Sequence, residues 1–335
     1  MSQNQIPALA DLVSAARIVA LPLRTKFRGL EEREVLLFEG PNGWAEWSPF
    51  IEYPDEEAAV WLSAALDFAY GSLPQLHRHR IPVNATLPAV APDLVEKVLN
   101  NFGEFSTVKI KVAEKGQTPG QDVDRIVAVK NNFPDAKIRL DANGGWSPEL
   151  SFSFIKALKG QGIELEYLEQ PCKSIEELAK LRGLIADAGF SVKIAADESV
   201  RRATDPLEVA RAGAADILVL KAQPLGGVAR ALEISAEAGL PVVVSSAIDS
   251  SVGLAMGAQL AAALPELDFD CGLGTAALLA GDVTREPLKP VDGFIDVRRV
   301  EVDPMKLDVF EAEDHRIDWW IDRLDRSFSL LHPAS

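Results

Sequence analysis

The chain has 335 residues, 47% of them apolar and 25% charged, which suits a globular protein and is too apolar for a disordered one. Acidic residues number 50 and basic ones 34, and the formal net charge of −16 repels phosphate backbones and anionic lipid, so neither nucleic acid nor a membrane is expected as a partner. Two cysteines, Cys172 and Cys271, exclude a disulfide framework and a four-thiolate zinc site, and the four histidines (His77, His79, His315, His332) leave none for chemistry between 81 and 290.

The first residues, Met1 to Pro7, lack a basic segment followed by an apolar one, so the default expectation is a cytoplasmic protein. Residues 1–80 read as an N-terminal α+β capping domain. Within it, Val35 to Glu39 and Trp44 to Trp47 flank a Gly40-Pro-Asn-Gly43 turn and predict a hairpin, and a helix follows from Asp55 to about Tyr70.

Residues 81–290 alternate short β-branched runs with amphipathic stretches. The runs cover 81–86, 107–112, 137–141, 163–169, 192–197, 216–221 and 241–246, each of strand length, with an eighth near Asp268 to Cys271. Between them lie helical signals such as Ser174 and Glu177, spaced as a capping box. Successive run ends, Lys111, Asp141, Glu169, Asp197, Lys221 and Ser245, are 24 to 30 residues apart. That pitch and number predict a TIM-type (β/α) barrel carrying the active site, rather than a six-stranded doubly wound sheet. The apolar run Val252 to Leu264 is too short to span a bilayer. Residues 291–335 are read as a C-terminal segment returning to the cap, with the alternation from Asp296 to Val302 pairing as a strand onto the N-terminal sheet.

In such a barrel the chemistry sits at the C-terminal strand ends. Here these ends carry Lys109 and Lys111, Asp141 with Asn143, Glu169, Asp197 with Glu198, Lys221, and Ser245 with Ser246. Any one acid alone reads equally as a helix cap or a loop charge. Three at a fixed pitch would repel one another unless a cation lay between them. Oxygen ligands without histidine point to a hard divalent ion, most simply Mg2+, with Mn2+ as a substitute. Lys111 and Lys221, four strands apart, are expected to face each other across the mouth. Flanking a metal-bound carboxylate, they suit removal of the proton beside it. The alternative is that the lysines simply neutralise the acids as ion pairs.

Together, Lys109-Ile-Lys111, Asp141-Ala-Asn143, Glu169-Gln-Pro, Asp197-Glu-Ser and Lys221 resemble the enolase superfamily in its muconate-lactonizing subgroup, over nearly the whole chain. The resemblance implies that Asp141, Glu169 and Asp197 bind Mg2+, that Lys111 is the base, and that Lys221 is the opposing lysine, with Lys109 beside them. Asn143 and Glu198 would support these groups. The segments Ser245 to Leu254 and Gly272 to Leu279 are similar to the o-succinylbenzoate synthase family, dehydratases of menaquinone synthesis. That likeness implies an anionic small-molecule substrate, a syn-dehydration through an enediolate, and a mobile loop at Arg24 to Gly29 contributing Arg24 and Phe27. Ser245, Ser246, Gly272 and Gly274 would bind the succinyl carboxylate, the turn doing so through backbone N–H groups. N-acylamino acid racemase and dipeptide epimerase are rivals within the superfamily, the latter because Asp268-Phe-Asp270 resembles its ammonium-binding pair. A metal-binding barrel without turnover is the non-enzyme alternative. Cys172 is expected to serve packing, and no oligomeric state is expressed in the sequence.

Overall fold

A computed structural model describes residues 7–202 and 204–332. The chain opens with α1 (Leu9–Ala15) and an antiparallel sheet of β1 (Arg17–Phe27), β2 (Leu30–Gly40) and β3 (Gly43–Trp47), followed by α2 (Asp55–Tyr70). The expected hairpin is β2–β3, where Gly43, at φ 100°, closes the turn against Gly40. The long β1 was not anticipated. It pairs with β2 from Arg17↔Leu37 to Phe27↔Leu30 around a tip at Arg28 and Gly29, both at positive φ.

Two short strands follow, β4 (Arg80–Pro82) and β5 (Ala85–Leu87), then α3 (Val95–Leu99). The barrel continues as β6 (Thr107–Lys111), α4 (Pro119–Asn132), β7 (Lys137–Asp141), α5 (Pro148–Gly160), β8 (Leu165–Glu169), α6 (Ile175–Asp187), β9 (Lys193–Ala196), α7 (Glu198–Arg201), α8 (Glu208–Arg211), β10 (Ile217–Leu220), α9 (Val228–Ala238), β11 (Val242–Val244) and α10 (Ser251–Ala263). Strands β5 to β11 form one parallel sheet in sequence order. Single bridges close it: Ser245 pairs with Gly272 and Val83 with Cys271. The expected eighth strand is therefore reduced to Cys271 and Gly272, directly after the acidic Asp268–Asp270 stretch. Helices start where local chemistry satisfies their free N–H groups, as at Ser174, whose hydroxyl accepts from Glu177 N while Glu177 caps in return. Helix α10 is buried on nearly every face, wedged between barrel and cap. No helix among the described residues is long and apolar enough to cross a membrane.

The tail corrects one expectation. Only β12 (Phe294–Asp296) forms a strand, and it pairs with β4, not with the N-terminal sheet. Residues 297–303 have no ladder partner, and the return to the cap is made by α11 (Pro304–Val309) and α12 (Asp314–Leu331). On α12 the buried residues Trp320, Arg323, Leu324 and Ser327 recur at helical spacing. Trp320 stacks edge-on against Trp47 at 5.4 Å and donates through Nε1 to Glu34, which also receives Arg316 in a bidentate pair.

Candidate active site

Period-two geometry on β6 turns both Lys109 and Lys111 into the barrel, and parallel register sets Lys111 level with Asp141 and Asp141 level with Glu169. Asp197 follows β9, and Lys221 follows β10. All six side chains are buried at the C-terminal mouth. Lys109 Nζ lies 2.9 Å from Glu169 and 3.6 Å from Asp141; Lys111 Nζ lies 2.5 Å from Asp141; Lys221 Nζ lies 2.5 Å from Asp197. Lys111 and Lys221 line one cleft from opposite sides, as expected. The ion pairs of the alternative reading are thus present as well, and each of the three lysines also lines the cleft.

The charges are strongly coupled. Burial alone would lower the Lys109 ammonium, but Glu169 and Asp141 outweigh it and hold its pKa above the ordinary value. Burial would likewise raise Asp141, yet Lys111 and Lys109 hold it at about 2. Glu169 is pushed up to about 7 by burial and by the charge of Asp141, with Asp197 adding to it. Lys221 is lowered, chiefly by burial and partly by Arg201.

Among the described residues no three acidic, His or Cys side chains already converge on one ion position; the Lys109 ammonium stands between Asp141 and Glu169. The donor set nevertheless fits a hard cation. It consists of three carboxylates, and their mutual repulsion, registered at Glu169, is what a small divalent ion would relieve.

Backbone strain marks the same strand ends. Asn143 and Gln170, immediately beyond β7 and β8, have φ of 44° and 37°. Asn143 N–H donates to Asp141 Oδ1 at 3.1 Å, and its side-chain oxygen accepts from Lys111 at 2.8 Å. Gln170 Oε1 accepts from Asp197 N–H at 3.0 Å and Ser199 N–H at 3.1 Å, fastening the end of β9 to that of β8.

These groups open into one cleft between the barrel mouth and the cap. Of the sequence-derived residues, Phe27, Lys109, Lys111, Asp141, Asn143, Asp197, Lys221, Ser245, Ser246 and Gly272 line it. Glu169 lies beneath, reached through Lys109, and Glu198 borders it through Asn143 Nδ2 at 3.1 Å. Others fall elsewhere. Arg24 is exposed on β1, outside the cleft, because the expected mobile loop is a strand pinned to the barrel by a Leu23–Leu279 bridge; Arg28 at the hairpin tip takes its place. Gly274 is also outside, packed against Asn84 O and the Pro290 ring. The N–H groups of Ser245 and Gly272 are spent on Leu220 O and Val244 O, so they are not free for a carboxylate. Gly272 is needed instead for clearance, since a Cβ there would meet Ser245 Oγ at 2.5 Å.

Asp270 lies at the opposite end of the barrel, accepting from Ser106 and Thr107 at the start of β6, so it holds nothing in the cleft. Cys172 is buried beside Ser151, and burial raises its thiol to about 11. Sequence reasoning missed Arg28, Phe50, Trp61 and Arg201, which also line the cleft. The first three come from the cap, and only Arg201, four residues after Asp197, carried a local signal.

The chain is similar to known proteins over nearly its whole length. Residues 91–301 match the enolase C-terminal domain-like family and residues 18–69 the enolase N-terminal domain-like family. The chain is 51% identical to an o-succinylbenzoate synthase of Mycolicibacterium smegmatis over 98% of this chain and 99% of that protein. It is 49% identical to one of Mycobacterium tuberculosis, over 98% of each. The fold resembles muconate lactonizing enzyme from Pseudomonas fluorescens, with a TM-score of 0.74 at 20% identity over 89% of this chain and 98% of that one. It also resembles the L-Ala-D/L-Glu epimerase from Bacillus subtilis, with a TM-score of 0.72 at 20% identity over 86% and 96%.

Proposed function

We infer the reaction from one premise: the chain belongs to the o-succinylbenzoate synthase family of the enolase superfamily. It is a hydro-lyase that converts 2-succinyl-6-hydroxy-2,4-cyclohexadiene-1-carboxylate to 2-succinylbenzoate, a step of menaquinone biosynthesis. The observation that supports this reading in the molecule itself is the pair Lys111 and Lys221, buried on opposite sides of one cleft and each held by a different aspartate.

Asp141, Glu169 and Asp197 would hold Mg2+, with Mn2+ able to replace it. When bound, the ion would offset the charge of the substrate carboxylate and so lower the cost of removing the adjacent proton. Lys111, as the free amine, takes the proton from the ring carbon bearing the carboxylate. The electron pair left there passes into the carboxylate as an enediolate and then returns to form the ring double bond as the bond to the neighbouring hydroxyl breaks, and Lys111 returns its proton to the departing oxygen on the same face, releasing water. Aromatisation drives the step. Lys221, on the other face, supplies positive charge to the enediolate. Lys109, kept charged by Glu169 and Asp141, acts as their counter-ion and does not take the proton.

The guanidinium of Arg28, 4.3 Å above the Phe50 ring, and the hydroxyl of Ser245 are the groups available to the distal succinyl carboxylate, since the Ser246 hydroxyl donates to Gly272 O. The test is loss of diene absorbance with the purified protein, the cyclohexadiene substrate and Mg2+. Lys111→Ala should reduce turnover by about 100-fold or more, and Lys221→Arg should also impair it. Unchanged turnover in Lys111→Ala, or in excess EDTA, would overturn the assignment of the base or of the ion.

A further inference from the structure

Arg201 ends the short helix that follows Asp197, and its side chain is 3% exposed although it lines the cleft. A guanidinium is costly to bury and persists only when its donors are matched. Each of its nitrogens has a partner. Nε donates to Asp197 Oδ1 at 3.0 Å, one terminal nitrogen donates to Tyr53 Oη at 2.9 Å, and the other to Glu198 Oε1 at 2.8 Å. Committed in this way, Arg201 is poorly placed to bind substrate, and its influence passes through what it holds.

What it holds comes from two parts of the chain, the end of β9 and the cap. Asp197 carries Lys221 on its other oxygen. Glu198 Oε1 is shared with Asn143, whose own oxygen receives Lys111, so a continuous hydrogen-bonded path runs from Lys111 through Asn143, Glu198, Arg201 and Asp197 to Lys221. Tyr53 belongs to the cap. Its carbonyl is clamped at 2.7 Å by the buried Arg323 of α12, which also donates to Phe50 O at 3.1 Å. Arg202 stacks on the Tyr53 ring at 4.8 Å and pairs with Glu57 of α2 at 3.3 Å. Tyr53 thus meets the closing helix through its backbone carbonyl and the end of β9 through its phenol.

We propose that Arg201 and Tyr53 are a positioning pair that fixes Asp197 from the cap side, so that docking of the cap and affinity of the barrel for its divalent ion form one linked equilibrium. The inference rests on Asp197 being an ion ligand. Groups that orient a ligand commonly govern affinity by about 10–100-fold, and linkage requires that the ion in turn strengthens cap docking.

The test uses the full chain without substrate and reads Mn2+ affinity from the electron paramagnetic resonance signal of free Mn2+. Variants are Tyr53→Phe, Arg201→Lys, Arg201→Gln and Asp197→Asn, each checked for folding by circular dichroism. Arg201→Gln should weaken Mn2+ binding by about 10–100-fold, Arg201→Lys should recover part of it, and Tyr53→Phe, which removes one hydroxyl and keeps the ring, should weaken it by about 3- to 10-fold. At saturating Mn2+, kcat should fall more than the KM for substrate rises. If Tyr53→Phe and Arg201→Gln fold and bind Mn2+ within about twofold of the wild type while Asp197→Asn binds weakly, the pair is merely structural and the proposal is overturned. Should Arg201→Gln not fold, Tyr53→Phe decides alone. If Asp197→Asn also binds like the wild type, the ligand reading fails with it, an outcome distinct from the first.

Discussion

Lys111 Nζ donates to Asn143 Oδ1 at 2.8 Å, and Asn143 presents that oxygen from a left-handed backbone at φ 44°. Asparagine tolerates this conformation better than most residues, and its amide holds the Lys111 amine in place. Asn143→Ala should lower kcat by about 10-fold or more through loss of a buried hydrogen bond to a charged group and also lower stability. Asn143→Gly removes the backbone strain, so it should restore the melting temperature but not kcat. Recovery of kcat in the glycine variant would show that the amide does not orient Lys111.

Two helical glycines should respond oppositely to alanine. A Cβ at Gly253 on α10 would lie 2.7 Å from Asp249 Cβ and 2.8 Å from the Glu46 carboxyl, whereas one at Gly183 on α6 meets nothing within 4 Å. Gly183→Ala is expected to stabilise by about 0.5–1 kcal/mol. Gly253→Ala gains the same helix preference but overpacks the junction with the cap, for a net loss of about 1–3 kcal/mol. Urea denaturation midpoints measure both.

Glu46 of β3 is fully buried and accepts from Ser48 Oγ, Ser250 N–H and Gly253 N–H at the start of α10. Burial, and then the charge of nearby Asp249, push its pKa up to about 7, and burial raises Asp249 to about 6. A carboxyl raised in the folded state binds its proton more tightly there than in the unfolded chain. Its contribution to stability is therefore complete below about pH 4.5 and is lost as pH rises toward 7, with a slope of at most ~1.4 kcal/mol per pH unit for one proton. Glu46→Gln keeps the acceptor and removes the charge. It should be less stable than the wild type at pH 5 and gain relative to it by pH 8; a pH-independent difference would refute this account.

Asp270 supplies a negative control for the site. It binds the hydroxyls of Ser106 and Thr107 at the N-terminal end of the barrel, away from the lysines. Asp270→Asn should cost about 1 kcal/mol of stability and leave kcat/KM for dehydration within about twofold. A loss approaching 100-fold would mean that the residue reaches the substrate after all.

The barrel and its acidic mouth were legible because they repeat. Short β-branched runs and a steady 24- to 30-residue interval place Lys111, Asp141, Glu169, Asp197 and Lys221 at equivalent strand ends whatever the loops do. What joins the cap to the barrel was not legible, since it depends on pairs such as Tyr53 and Arg201, 148 residues apart, and Phe50 and Arg323, 273 apart. The tail misled for a local reason. Past Asp296, where β12 ends, residues 297–302 keep alternating like a strand but form no ladder, while α12 hides its apolar stripe among charges that are themselves buried or paired, as with Arg323 and Arg316. Arg24 rested on likeness to a family loop, whereas the segment continues β1 and it is Arg28, at the hairpin tip, that reaches the cleft.

Gln170 has a wider consequence. By tying the ends of β8 and β9 together from a strained backbone, it makes the floor of the cleft a single rigid casting, while the walls, Phe27, Arg28, Phe50 and Ile248, arrive on separate segments. The lysines and acids of the strand ends are therefore carried on different stretches of chain from the residues that wall the cleft. Remodelling the hairpin tip or the 245–250 loop would reshape the cleft without moving those strand-end groups.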